Sequence, residues 1–404
     1  MFLGIGAKCL NTRVAKPGSN YQLIANLRFS PMKKVLFLIF SLLWFSPLHA
    51  QLNNAMFEDR VKVLPEDTGR LVLGINAMGF SKDNEYFGTI VDGYTLYGFQ
   101  FSPEVRYQIA PHWRINAGLW TQKDFGNPKF TTIAPLFSIK FQKDNFTTIF
   151  GNLEGSLNHR LIEPLYDFER VLLETRLEHG GQIIINKENF FLDGWVNWQL
   201  MQYLNDPRQE EMTGGLSAEK KLGNWRGAKI SLPFQAVVKH KGGQLDINPD
   251  PLITIWNSAT GLQLDKEGKG RIKNWRLSGW YLYYKDMSFK KRQEFLNGSG
   301  LYLNLNLKFS EKLETMFSYW KGHEFQSVEG GKIYPSVGVL DPSLIRPDRE
   351  MLIWRILFSE KVNNTFSVGG RLEPYYDFNF GGFQWSFGIY LIYHDSFFLG
   401  RPKR

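Results

Sequence analysis

Residues 301–309 read LYLNLNLKF, and the alternation is strict: Leu301, Leu303, Leu305, Leu307 and Phe309 fall on one side, Tyr302, Asn304, Asn306 and Lys308 on the other. A period of two is that of a β-strand, whose successive side chains point to opposite faces. In a soluble sheet the leucine side packs on a core. In a membrane barrel it faces lipid while the Asn and Lys side faces water. Strand length separates the two cases. Sandwich strands run about five or six residues, whereas roughly 9 to 11 tilted residues cross a bilayer, and several segments here are that long.

The same face pattern recurs along the chain. Tyr97, Phe99, Phe101, Val105, Tyr107 and Ile109 oppose Gln100, Ser102, Glu104, Arg106 and Gln108, and Phe383, Trp385, Phe387, Ile389, Leu391 and Tyr393 oppose Gln384, Ser386, Gly388, Tyr390 and Ile392. Short polar turns are expected at 110–111, 143–145, 187–189, 223–224, 266–270, 310–312 and 361–364. They alternate with longer connections near 81–93, 125–129, 157–168, 205–208, 243–251, 288–296, 326–347 and 379–381. Short turns on one side and long loops on the other describe a transmembrane antiparallel up-and-down barrel. The expected fold is all-β, with about sixteen strands (range about 14 to 18) over residues 70–399. No motif repeats at the fixed period of a propeller or solenoid.

Composition fits this reading. Aromatic residues make up 15% of the chain, with 33 Phe, 17 Tyr and 12 Trp, as interfacial girdles require. The formal charge of +9 comes largely from the first fifty residues, which leave 42 basic against 39 acidic residues in the remainder. Those charges are dispersed, which excludes nucleic acid as a partner. Cys9 is the sole cysteine, so neither a disulfide framework nor a thiol site is expected.

Met32 to Ala50 has a basic start at Lys33 and Lys34, an apolar run from Val35 to Phe45, and small residues before Gln51. This order predicts a signal peptide cleaved between Ala50 and Gln51. Residues 1–31 read as an over-extended start, 51–69 as a short periplasmic segment too short for a plug, and 400–404 as a basic tail.

By strand parity the wet face carries Glu104, Arg106, Arg114, Lys140, Glu154, Glu174, Arg176, Glu178, Asp193, Glu219, Lys229, Lys239, Arg276, Lys308, Glu314, Arg355, Arg371 and Glu373. Such charges either brace the wall as ion pairs or form an eyelet that discriminates solutes. About sixteen strands leave room for water in the lumen. The longest loop, 326–348, either folds into the lumen and narrows it or covers the outer surface, and surface cover is the expectation.

Two clusters have the letters of a chemical site. His394-Asp395-Ser396 has the letters of a hydrolytic triad, but parity turns Asp395 away from its neighbours. His159, Glu163 and Asp167 have helical ligand spacing, which Pro164 interrupts. Phosphate-loop, zinc-protease and serine-elbow motifs do not occur. The expectation is therefore a chain that is not an enzyme, with no catalytic residue, metal or cofactor.

The pattern over 70–399 resembles Gram-negative outer-membrane β-barrel proteins of porin-like type, as found in Bacteroidota. Ser386, Gly388, Leu391 and Tyr393 are similar to the C-terminal assembly signal of such barrels, although the chain continues to Arg404 instead of stopping at an aromatic. The resemblance implies outer-membrane lipid and the barrel-assembly machinery as partners, a monomer or homotrimer, and passive diffusion of small hydrophilic solutes. A barrel working with a periplasmic or lipoprotein partner in assembly or export is the second reading, and a lipid-modifying hydrolase that uses His159 or His394 is the third.

Overall fold

The computed structural model describes residues 52, 54–58, 61–88, 90–154, 157, 159–243 and 250–400. The predicted signal peptide, its cleavage site and Arg401 to Arg404 lie outside these residues. Seventeen strand segments form one antiparallel sheet: β1 (Leu71–Glu85), β2 (Tyr94–Ala110), β3 (Trp113–Asp124), β4 (Thr132–Lys143), β5 (Phe146–Asn152), β6 (His179–Lys187), β7 (Phe190–Leu200), β8 (Glu211–Trp225), β9 (Ala228–Lys241), β10 (Ile253–Glu267), β11 (Asn274–Asp286), β12 (Asn297–Lys308), β13 (Leu313–His323), β14 (Asp348–Lys361), β15 (Phe366–Leu372), β16 (Tyr375–Asp377) and β17 (Gly382–Gly400). Each segment pairs with its sequence neighbours, and β1 pairs with β17 from Leu71 opposite Gly400 to Glu85 opposite Trp385, which closes the barrel.

β15 and β16 are one stave broken at Glu373-Pro374, because proline has no N–H for the ladder. The partners bridge the gap: Trp354 N donates to Pro374 O at 2.9 Å, and Glu373 N to Ser386 O at 2.8 Å. The barrel therefore has sixteen staves, as the sequence leads one to expect. One turn differs from expectation. Gly223, at φ +150°, marks a bulge in β8, and the chain reverses at Arg226-Gly227, whose φ values of +49° and +78° suit a tight hairpin.

The leucine side of 301–309 faces outward. Leu301 and Leu303 are 40% and 39% exposed, while Tyr302 and Asn304 are each 2% exposed. Val105, Leu232, Phe317, Trp354, Ile389 and Leu391 continue the exposed apolar belt on the other staves. Such a belt on a closed barrel is stable only against lipid.

Candidate functional site in the lumen and at the rim

Inward-turned chain occupies much of the lumen. Expected surface loops turn inward and form its core, together with the segment before β1. Leu157, Leu161, Tyr166, Phe168 and Val171 to Leu173, from the connection between β5 and β6, pack with Phe57 against Met78, Phe80, Trp195, Val237, Tyr390 and Ile392 of the wall. Ile162 and Leu165 join Phe325, Ile333 and Tyr334, from the connection between β13 and β14, against Trp280, Tyr302, Trp320 and Met351. Two expectations are thereby corrected. The 326–348 loop covers the outer surface only in its second half, where Leu340 is 74% exposed; its first half turns inward and buries Ile333 and Tyr334. The 51–69 segment, thought too short for a plug, contributes buried Leu52, Phe57 and Val63. The physical reason is shared: these connections carry more apolar surface than water tolerates, and the lumen is where it can be buried.

Wall cations meet carboxylates of the inward loops. Lys82 Nζ lies 3.0 Å from Glu169, Arg371 Nη2 3.1 Å and Arg355 Nη2 3.6 Å from Glu163, and Lys239 Nζ 2.9 Å from Glu329. Glu373 braces Arg355 and Arg371 at 3.3 and 2.5 Å. Glu174 reaches Lys332 at 2.5 Å and ties one inward loop to the other. Toward the turn side, Glu154 pairs with Lys140 and, at 3.6 Å, with Arg114, and both cations donate to Val61 O. Arg176 donates to Phe57 O at 3.4 Å.

Other parity residues pair locally: Arg106 with Glu104 at 2.7 Å, Arg276 with Asp265 at 3.3 Å, Lys308 with Glu311 at 2.6 Å, and Lys229 with Glu267 at 3.9 Å. Glu314 accepts from Asn306 at 2.6 Å. Glu154, Glu174, Arg176 and Glu178 lie off the strands, because the connection runs from 153 to 178 and is longer than the expected 157–168.

His159 sits inside this plug with both ring nitrogens engaged, Nδ1 to Asp193 at 3.0 Å and Nε2 to Glu178 at 2.8 Å. Trp195 stacks on it at 4.3 Å and 18°, and Tyr166 donates to Glu178. Burial alone would lower the His159 pKa, yet the Glu178 and Asp193 carboxylates raise it to about 10. Glu178 correspondingly stays below the usual carboxylate range despite its burial. A cation sealed between two anions cannot act as a base. Nor can His394 use the adjacent letters: its Nδ1 contacts Asn76 Oδ1 at 2.8 Å, while Asp395 turns the other way and accepts from Tyr393 Oη at 3.1 Å. Among the described residues, no group of three potential metal ligands converges.

A different row has the chemistry these lack. Ser299 of β12 lies opposite His323 of β13, and His323 lies opposite Asp348 of β14. All three belong to the outward face, the parity of exposed Leu301, Phe317 and Leu352. His323 Nδ1 is 2.8 Å from Asp348 Oδ1, and the two side chains are 61% and 73% exposed. The carboxylate fixes the tautomer with the proton on Nδ1, which leaves the lone pair of Nε2 on the far side of the ring. Directly opposed residues have Cβ atoms about 4.5 to 5.5 Å apart, so Ser299 is the hydroxyl nearest that flank in register. The next row toward the belt is Leu301, Lys321 and Glu350, with Tyr319 Oη donating to Glu350 at 2.9 Å. The row lies at the long-loop rim, two residues or about 6.6 Å above the lipid-facing Leu301. Sequence reasoning missed it, because the three residues adjoin only through strand register.

Fold and sites together define a membrane-spanning barrel whose lumen is largely occupied and whose long-loop rim carries the exposed His323–Asp348 pair with half-buried Ser299 opposite it in register. Residues 63–402 match the sequence family described as lipid A 3′-O-deacylase-type, and the chain belongs to that family. This corrects the expectation that the protein is not an enzyme, since the family is one of enzymes.

Among solved structures the chain is similar to the outer membrane protein OprD from Pseudomonas aeruginosa, at 10% identity and TM-score 0.45 over 84% of this chain and 96% of that one. It is also similar to OpdL of the same organism, at 11% identity and TM-score 0.46 over 82% and 99%. OmpT of Vibrio cholerae, in its trimer form, matches at 7% identity and TM-score 0.47 over 81% and 100%. No curated protein sequence matches the chain.

Proposed function

We propose that this protein is an outer-membrane ester hydrolase that removes an acyl chain from a lipid A-type glycolipid, with Ser299 as nucleophile, His323 as general base and Asp348 as the group that orients it. The observation that carries this reading is the outward Ser299, His323 and Asp348 row just above the lipid belt, in a chain of a deacylase-type family. An ester carbonyl of an outer-leaflet lipid lies where apolar chains give way to head groups, which is the level of this row. A site facing the lumen offers such a lipid no lateral approach.

The chemistry follows from the geometry. Ser299 Oγ turns toward His323 Nε2 and attacks the ester carbonyl while Nε2 takes its proton. The tetrahedral intermediate collapses, the C–O bond to the sugar breaks, and the imidazolium returns its proton to the leaving alkoxide. Water, deprotonated by the same nitrogen, then frees the fatty acid from Ser299. Asp348 stabilises the transient imidazolium without taking its proton.

Passive diffusion of small solutes, the function expected from strand number, would require Glu163, Glu169 and Glu329 to leave their wall cations. The lumen charges are better read as latches than as an eyelet. Export by the 32–50 signal peptide and insertion through the 386–393 motif complete the proposal.

The test uses the full mature chain, Gln51 to Arg404, folded in lipid vesicles and incubated with purified lipid A. Mass spectrometry is expected to find free fatty acid and a lipid A lighter by one acyl chain. Absence of both from a heat-modifiable, folded barrel would overturn the reading.

A further inference from the structure

Phe289 stands wholly exposed in the connection between β11 and β12, with Met287 and Leu296 exposed on either side of it in sequence. A large apolar side chain held in water is a cost. Other long-side connections repeat it, with Phe87, Phe125, Phe130, Tyr203 and Phe380 exposed. Aromatic side chains in a girdle around a barrel mark the level where lipid chains give way to head groups. Phe289 therefore sets the height of its connection.

Charge sets that connection apart from the others. Lys290, Lys291 and Arg292 follow Phe289 directly, and all three are exposed. The connections at 86–93, 125–131, 201–210, 242–252, 337–347 and 378–381 carry at most one Lys or Arg each. Within Met287 to Leu296 only Glu294 offsets the three cations. Lys285 adds a fourth on the outward face of β11, which runs from Leu277 through Tyr281 and Tyr283 to Lys285, from apolar through aromatic to basic. The ammonium groups of Lys285 and Lys290 have no partner among the described residues. Lys291 Nζ donates to Asp286 O at 2.8 Å, and Arg292 Nη1 to Asp250 Oδ1 at 3.3 Å, yet both side chains stay about half exposed.

The connection is braced in place. Asp286 N donates to Leu296 O at 2.9 Å, Tyr284 Oη to Phe295 O at 2.9 Å, and Met287 N to Thr254 O at 2.8 Å. Asn297, Gly298 and Ser299 follow it directly on β12. A fixed surface with an apolar edge at head-group level and clustered cations beside it matches an anionic amphiphile, since basic groups there attract the charged heads while apolar side chains enter the lipid.

We infer that Met287 to Leu296, together with Lys285, is a docking surface for the phosphate-bearing head groups of outer-leaflet glycolipid. Phe289 enters the apolar edge of the leaflet, and the cations hold phosphate. The inference rests on the hydrolase reading in one respect, that the docked lipid is the one whose ester reaches Ser299.

The experiment is native mass spectrometry of the full mature chain, carrying Ser299→Ala so that no lipid is consumed, in neutral detergent micelles. Equal amounts of lipid A with its phosphates, and of the same lipid A after phosphatase treatment, compete for the protein. Retention of the phosphorylated form is expected to exceed that of the other about tenfold or more. Lys290→Glu, Lys291→Glu and Arg292→Glu together should abolish the preference, Lys290→Gln alone should reduce it, and Lys129→Glu on the β3 to β4 connection should leave it intact. Gel heat-modifiability verifies that each variant is folded. With Ser299 restored, the triple variant should raise KM for fatty-acid release more than it lowers kcat. Phosphate-dependent binding that the triple variant abolishes would support the docking surface even if no fatty acid is ever released, so the two readings fail separately. Equal retention of both lipids by the parent protein would overturn the inference, and so would a preference unchanged in the triple variant.

Discussion

Two histidines in this barrel face carboxylates, and their surroundings give them opposite properties. His159 is held from both sides, by Glu178 and Asp193, under the Trp195 indole and 2% exposed. His323 is held from one side only, by Asp348, and is 61% exposed. A ring fixed at both nitrogens is a structural cation. A ring fixed at one nitrogen is oriented and still has a basic atom to use. The contrast separates a lumen histidine held as a structural cation from a rim histidine that keeps the free ring nitrogen the proposed hydrolysis needs.

The largest expected effect breaks the comparison on the rim. Ser299→Ala should lower fatty-acid release from lipid A about 10³-fold or more, and His323→Ala should do no worse than that alone, because members of one catalytic unit are not additive. The double variant should match the single ones. Full activity in Ser299→Ala, with the barrel folded, would move the nucleophile elsewhere.

The corresponding change in the lumen acts on stability. His159→Leu leaves Glu178 and Asp193 buried with no cation between them, and removing one partner of a buried ionic cluster costs about 3 to 5 kcal/mol. The thermal midpoint should fall, and ion conductance across a planar bilayer should rise as the plug loosens, while lipid hydrolysis persists. Alkali tests the same clamp more gently. With the His159 pKa raised to about 10, its charged form contributes fully below its ordinary value of about 6.5 and is lost as pH rises through 10. Glu178, held below its usual range, loses its contribution only as pH falls through that lowered value. Conductance should therefore stay low at neutral pH and rise above about pH 10. A conductance step near pH 6.5 would contradict the assigned charge.

Much of the wall was legible in the sequence, because parity needs no partner to be read. The leucines of 301–309 point to lipid as their alternation requires, and the expected turn at Ser310 to Lys312 lies between β12 and β13. That turn already contained half of the rim row: with Glu311 at its centre, residues twelve before and twelve after it meet, and these are Ser299 and His323. The other half was hidden. Asp348 pairs with His323 across the long 324–347 connection, and no tight turn fixes a register over such a length. The plug left a signal that went unread. Leu157, Leu161, Leu165, Phe168 and Leu172 recur at intervals of three and four residues, too regular and too apolar for a loop in water.

A lipid-facing change sharpens the distinction between the two faces of one strand. Leu303→Arg on β12 places a cation in the apolar belt and should cost about 2 to 4 kcal/mol if it lies near the bilayer midplane, read as a lower denaturant midpoint for folding into vesicles. Asn304→Leu on the next residue faces the lumen and should cost far less, since it removes an amide whose atoms have no partner among the described residues. A smaller cost for Leu303→Arg than for Asn304→Leu would contradict the assigned faces.

The smallest effect tests the turn that the sequence misplaced. Gly227 follows Arg226 at the β8 to β9 hairpin with φ +78°, a conformation an L side chain adopts only with strain. Gly227→Ala should therefore cost about 1 kcal/mol. Gly223→Ala, at the bulge with φ +150° and open space around its Cα, separates backbone strain from crowding, because an added Cβ there touches nothing. Both variants should retain hydrolysis and a closed lumen, since β8 and β9 carry no member of the rim row and their turn lies at the opposite end of the barrel. A loss of activity from either would show that the turn side communicates with the rim through the wall, and the division between a stable lumen and a reactive outer face would have to be redrawn.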